Sequence, residues 1–253
     1  VSELLLALLA GVAAGALNAM GGGGTFVALP ALVAFGLSPV TANAVSRVAL
    51  VPGAVASAWV YRGELTPIGA TSTNALTAIS VTGGGVGAAL LLALPASSFD
   101  VAVPWLLVLA TVVLAFGRRI SRVLSTVQGR SVGMSSRAVL IGQFFLSVYG
   151  GYFGGAVGIM MLALWSIGLG LDAADSNPMR IAQLAAIYLS ATVLFLFASD
   201  ALSAPLLLTV TLVGAVIGGF TGAHLARRLP ARLLRGTILS TAVLMTVLYF
   251  LRG

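Results

Sequence analysis

Two arginines lie inside otherwise apolar stretches, and each follows an asparagine: Asn43-Ala-Val-Ser-Arg47 and Asn177-Pro-Met-Arg180. An arginine near hydrocarbon is costly unless it is paired or faces a polar cavity. Its planar fork of donors suits oxyanions. The alternative is an interfacial arginine whose stem snorkels its charge to the headgroups, and Arg180 also fits a positive-inside loop. Ser46, Thr25, Asn18 and Gln183 lie at or beside these positions. Each could face a ligand or make an interhelical hydrogen bond.

The second feature with chemical reach is backbone. Gly21, Gly22, Gly23 and Gly24 run between two apolar segments, and Gly155 and Gly158 interrupt a similar stretch later on. A helix broken at membrane depth is tolerated only where the irregular backbone is buried in protein or lines a cavity. A second short helix beginning near Gly24-Thr25 or Gly158-Ile159 would present unpaired N–H groups and the positive end of its dipole. Two such ends meeting from opposite sides would favour an anion. Close helix packing is the alternative reading for any membrane glycine. It is the expected role of Gly83, Gly84, Gly87, Gly218, Gly219 and Gly222, whereas Gly21 to Gly24 are expected to form a site. Gly155 and Gly158 are open between the two.

Catalytic chemistry finds few carriers. Cysteine is absent and His224 is the single histidine, which removes thiol redox chemistry, iron–sulfur ligation and histidine-pair metal motifs. No nucleophile elbow, Walker loop or dinucleotide fingerprint occurs in a strand–helix context. The carboxylates Glu3, Glu64, Asp100, Asp172, Asp175 and Asp200 all fall at segment ends, with Asp172 and Asp175 nearest to a relay position. His224, three residues before Arg227-Arg228, reads as interfacial. No enzyme activity and no cofactor are expected.

The elements that must hold these groups follow from composition. Of 253 residues, 59% are hydrophobic and 8% charged, and mean hydropathy is +1.11. Soluble domains carry about 25% charged residues, so the chain reads as an all-α polytopic membrane protein. The net charge of +7 arises from thirteen arginines, without lysine, against six acids. These arginines sit in short loops between apolar runs, as in cytoplasmic loops, so nucleic acid is not an expected partner. Apolar segments fall at roughly 4–19, 25–37, 45–61, 67–94, 101–117, 138–153, 155–169, 181–198, 205–227 and 235–251. The first, second, sixth and seventh are shorter than the ~20 residues of a straight span, which points to short glycine-broken helical hairpins. Val1–Leu9 lacks the basic start of a signal peptide and carries Glu3, so it is expected to belong to the fold. Ser38-Pro39, Thr66-Pro67 and Asn177-Pro178 read as helix starts. Pro30 and Pro52 fall inside segments. Trp59, Tyr61, Trp105 and Tyr249 read as interfacial anchors.

The halves repeat. A shift of 134 aligns Gly21 with Gly155, Gly24 with Gly158, Gly36-Leu37 with Gly170-Leu171 and Asn43 with Asn177. One further residue of shift aligns Gly83-Gly84, Gly87-Ala88 and Leu94-Pro95 with Gly218-Gly219, Gly222-Ala223 and Leu229-Pro230. The expected organisation is a first transmembrane repeat at 1–117, a cytoplasmic linker at 118–137 and a second transmembrane repeat at 138–253. The five arginines of 118–137 place that stretch inside, 95–100 outside and Arg227, Arg228, Arg232 and Arg235 inside; Arg252 alone lands outside. Equivalent loops on opposite sides make two five-segment halves with inverted topology.

The runs Gly21-Gly-Gly-Gly-Thr-Phe-Val-Ala-Leu-Pro30, Phe35-Gly-Leu-Ser-Pro-Val-Thr-Ala-Asn-Ala-Val-Ser46, Tyr61-Arg62-Gly63 and Gly222-Ala-His-Leu-Ala-Arg-Arg-Leu-Pro230 resemble the TauE/SafE family, the sulfite exporter family of membrane permeases. The resemblance covers nearly the whole chain. It implies a permease linked to the proton motive force for small anions, sulfite or short organosulfonates such as sulfoacetate, often an exporter. Carried over, its glycine loop falls on Gly21 to Gly24 and its small-polar motif on Asn43 to Ser46. The second half departs, with Gly154-Gly-Ala-Val-Gly-Ile-Met-Met161 and Asn177-Pro-Met-Arg180 at the equivalent places. The expected substrate site is therefore Gly21, Gly22, Gly23, Gly24, Thr25, Asn43, Ser46, Arg47, Gly155, Gly158, Asn177, Arg180 and Gln183. The expected partners are a small anion and the lipid bilayer, with a homodimer compatible, in the cell (inner or plasma) membrane. Uptake of a small carboxylate and a non-transporting membrane scaffold are the rival readings.

Overall fold

The computed structural model describes residues 2–127, 134–171 and 175–226, together with 236, 239, 240, 243, 244 and 247. Among them the regular structure is helical. The helices are α1 (Ser2–Gly21), α2 (Thr25–Ala34), α3 (Pro39–Val60), α4 (Thr73–Ala93), α5 (Ala96–Val127), α6 (Ser136–Tyr152), α7 (Val157–Leu169), α8 (Asn177–Ala198) and α9 (Pro205–Ala226). Among the described residues four stretches are long and apolar enough to cross a membrane: Glu3–Met20, Thr73–Ala93, Asn177–Ala198 and Pro205–Leu225. Large apolar side chains such as Leu5, Trp105, Phe145 and Phe197 point outward, as a lipid-facing surface requires. The last expected segment, 235–251, the loop arginines Arg227 to Arg235, Asp172, Tyr249 and Arg252 lie outside the described residues or are described only in scattered positions.

Local signals set several of the helix boundaries. Ser38 caps α3, its hydroxyl accepting from the Thr41 N–H at 3.2 Å, with Pro39 opening the helix. Ser135 does the same for α6 through the Ala138 N–H. Pro30 and Pro52 lie inside α2 and α3. Two expected starts differ. No helix begins at Pro67: residues 65–72 form a loop holding an isolated Ile68–Thr71 bridge, and α4 starts at Thr73. At α8 the residue flanking the helix is Ser176, and the Asn177 side chain turns to Arg180 instead of the backbone. The arginine-rich stretch after 117 also begins as helix, since α5 continues to Val127.

Membrane interiors offer no hydrophobic drive between helices, so close approach of small residues carries the packing. Gly11 meets Thr211, Val12 meets Gly218 and Ala16 meets Gly222, so α1 and α9 run side by side in the same direction. On the other side Gly83 meets Phe144 and Ser147 while Gly87 meets Val148 and Tyr152, so α4 and α6 are likewise parallel. The packing glycines thus take the role expected of them. Partners are exchanged between halves: α1 packs on α9 and α6 on α4, α3 on α9 and α8 on α4, and α3 on α8 at the centre. The α3–α8 pair is antiparallel, with Arg47 on Tyr188 near one end and Tyr61 clustered with Ile181 near the other. Tyr61 is therefore buried, its hydroxyl donating to the Ala223 carbonyl at 3.2 Å, and is not an interfacial anchor. Trp59 and Trp105 are exposed.

The seam predicts opposite effects at adjacent glycines of α4. A Cβ at Gly84 would lie 2.8 Å from the Ile187 carbonyl oxygen, whereas at Gly85 nothing comes nearer than 3.9 Å. Gly84→Ala should lower the melting temperature in detergent, by an overpacking cost of about 1–3 kcal/mol. Gly85→Ala should leave it unchanged or raise it, since alanine gains up to ~1 kcal/mol in a helix.

Candidate functional site

The first break forms where α1 ends at Gly21 and α2 begins at Thr25; the second spans 153–156, between α6 and α7. Gly22 (φ +75°) and Gly154 (φ +77°) take left-handed backbone, and so does Ala156 (φ 56°). Glycine adopts that region without the steric penalty of a Cβ. The breaks meet across the halves: a Cβ on Gly22 would sit 3.1 Å from the Gly158 nitrogen and 3.5 Å from Arg180 Nη1. Gly154 is likewise pressed against the Arg47 guanidinium, leaving no room for a side chain.

Each asparagine–arginine pair then reaches into the other half. From α3, Asn43 Nδ2 donates to the Tyr152 carbonyl at 2.8 Å and Arg47 Nη2 donates to the Phe153 carbonyl. From α8, Arg180 Nη2 donates to the Ala19 carbonyl at 3.1 Å, while its Nε and Nη2 also donate to Asn177 Oδ1 at 2.9 and 2.7 Å. Those carbonyls belong to the ends of α1 and α6, where helices leave oxygens unpaired. Each half's arginine thus closes the broken helix end of the other.

Both guanidiniums are fully buried, at 0% exposure, and neither is snorkelled to an interface. Arginine stays protonated in proteins. No carboxylate lies against either one among the described residues. Arg47 Nε and Nη1 and Arg180 Nη1 have no hydrogen-bond partner, and Thr25 Oγ1, at the start of α2, is also buried without one. Unpaired buried donors of this kind are costly. A ligand with oxyanion acceptors would satisfy them.

The remaining expected residues divide. Gly21 ends α1, and Gly23 holds the turn through its N–H to the Leu17 carbonyl at 3.4 Å. Gly24 packs on α1 beside Ala14 and Asn18. Ser46 is turned back on its own helix, donating to the Asn43 carbonyl at 2.8 Å. The Gly155 carbonyl accepts from the Tyr149 hydroxyl at 2.8 Å. Gln183 reaches α4, its Nε2 donating to Thr77 Oγ1 at 3.1 Å, with Oε1 left unpartnered. The exposed His224 stays on its own helix turn against Phe220, and Asp175 is exposed.

Tyr188 belongs to this centre although the sequence pattern did not single it out. Its ring lies 4.5 Å from Arg47 Cζ, and its hydroxyl donates to Asn18 Oδ1 at 3.2 Å. It therefore joins the centre of α8 to both α3 and α1. A phenol with its hydroxyl in mid-helix, away from any interface, was the available signal. Two apolar grooves, of about 330 and 400 Å³, open outward between α4 and α6 and between α1 and α9, away from the arginines.

Membrane-length helices around a closed, cationic centre, where two broken helices meet, define the class: a polytopic helical membrane protein. Comparison with known families agrees with the residues read earlier. The chain belongs to the family of sulfite exporter TauE/SafE, whose model matches residues 7–249. No curated protein and no solved structure matches the chain.

Proposed function

We propose that the protein is a secondary transporter that carries a small sulfite-type oxyanion through the centre of the α3–α8 pair by alternating access. The observation that carries this reading is the pair of fully buried guanidiniums with unpartnered donors at the junction of the two glycine breaks. The family's description supports the sulfite-type cargo. The inverted arrangement of the halves is part of the proposal, supported by the exchanged helix partners and the antiparallel α3–α8 pair. With both arginines closed from solvent, loading and release require the halves to move against one another. The bonds that cross between halves, those from Asn43, Arg47 and Arg180 among them, are ones such a motion must remake. Export driven by the proton motive force, in the inner membrane, is the direction the family resemblance favours.

The test is flux into liposomes holding the full-length protein, with sulfite, sulfoacetate and taurine as probes and a small carboxylate such as acetate alongside. Saturable sulfite or sulfoacetate flux above protein-free liposomes is the expected result. Flux of the carboxylate alone would replace the substrate class, and absence of any flux would favour a scaffold.

A further inference from the structure

The two guanidiniums are anchored on different carbonyls. Arg180 rests on the Ala19 carbonyl and faces Gly22, whereas Arg47 rests on the Phe153 carbonyl and faces Gly154. Tyr188 touches the surroundings of both. Its ring carries Arg47 on one side, and its hydroxyl is bound to Asn18, the neighbour of the Ala19 that holds Arg180. Along α8, Arg180 and Tyr188 are separated by about 12 Å of helix rise. Each guanidinium has its own unpartnered donors, Nε and Nη1 on Arg47 and Nη1 on Arg180. No carboxylate compensates either charge among the described residues.

Charge balance follows from this. A ligand bearing one negative charge leaves one guanidinium uncompensated at membrane depth, where an unpaired ion is expensive. A ligand bearing two negative groups compensates both. We infer that the cargo is recognised as a dianion whose two negative charges compensate Arg47 and Arg180 together, and that monoanions of the same size bind less well. This rests on the anion-transport reading above and adds the valence of the substrate to it.

The experiment compares matched pairs as competitors of labelled sulfoacetate flux in liposomes containing the full-length protein: ethane-1,2-disulfonate against ethanesulfonate, and succinate against butyrate. In each pair the dianion is expected to compete at concentrations lower by about tenfold or more, the scale of one charge-assisted hydrogen bond. Arg47→Gln and Arg180→Gln each remove one positive charge and should bring the monoanion level with its dianion or ahead of it, a reversal that mere structural damage does not produce. Arg47→Lys and Arg180→Lys keep the charge and should keep the dianion preference, which covers the case of glutamine variants that do not fold. Saturable flux with equal competition inside each pair overturns the dianion inference and leaves transport standing. Loss of the preference in both lysine variants overturns it too. If sulfite alone is carried, labelled sulfite takes the place of sulfoacetate in the same competition; absence of any saturable anion flux from the wild type overturns both readings.

Discussion

Arg180→Ala is expected to abolish sulfite or sulfoacetate flux, and Arg47→Ala to do nearly the same. The Arg180 guanidinium makes three hydrogen bonds, two to Asn177 Oδ1 and one to the Ala19 carbonyl, and keeps Nη1 free. Truncation strands the Ala19 carbonyl oxygen in a closed interior, at about 1–3 kcal/mol, and takes both donors from the partly buried Asn177 Oδ1. It also removes the charge that faces Gly22. Removing two or three charge-assisted hydrogen bonds from the loaded state corresponds to a flux defect of roughly a hundredfold or more. Arg180→Lys should recover only part of it, because an ammonium cannot reproduce the planar fork that meets Asn177 through two nitrogens. Initial flux rates, normalised to folded protein after size-exclusion chromatography, are the measurement. Wild-type rates from Arg180→Ala would remove Arg180 from the site.

Gly22→Val should strongly damage the contact between the two breaks. The backbone at Gly22 has φ +75°, and a Cβ there would stand 3.1 Å from the Gly158 nitrogen and 3.5 Å from Arg180 Nη1. A residue with a Cβ costs roughly 1–2 kcal/mol in left-handed backbone, and a branched one must also push the second break or the guanidinium aside. Gly36 separates the two effects. It too has positive φ, at +91°, but nothing lies within 4 Å of its Cβ position. Gly36→Ala should therefore lose some thermal stability and keep its flux, whereas Gly22→Val should lose flux even where folded protein is recovered. Equal flux in the two variants would show that the contact between the breaks is not functional.

Much of this centre was legible because the chemistry at membrane depth is so sparse. In a chain with few charged residues, the asparagine–arginine pairs at Asn43 and Arg47 and at Asn177 and Arg180 stand out. So does a run of glycines where a helix cannot be repaired by water. The partners of those arginines were not legible. They are main-chain carbonyls of Phe153 and Ala19, which every residue possesses and only tertiary structure selects. The shift of 134 residues also overstated the symmetry of the breaks. It pairs Gly21 with Gly155 and Asn43 with Asn177, yet Asn43 lies a full turn inside α3 while Asn177 opens α8. Within the breaks the glycines with positive φ are Gly22 and Gly154, so the breaks are alike in role without being superposable in register. Thr66-Pro67 misled because proline after a capping residue marks a turn as readily as a helix start. Tyr61 misled because a tyrosine near a helix end can find a buried carbonyl as well as a headgroup.

The exchange of helix partners bears on how the protein is made. Synthesis delivers α1 and α4 to the membrane before α9, α6 and α8 exist. The small-residue faces of those early helices, Gly11 and Gly15 on one and Gly83, Gly84 and Gly87 on the other, meet their partners in the later half of the chain. The newly inserted first half therefore keeps lipid against the seams it will later close, and its broken helix end at Ala19 waits for Arg180. Assembly finishes only when the two halves interlock. Co-expression of residues 1–127 with the remainder as separate chains should rebuild that interlock, while 1–127 alone remains an insertion product with unfilled seams.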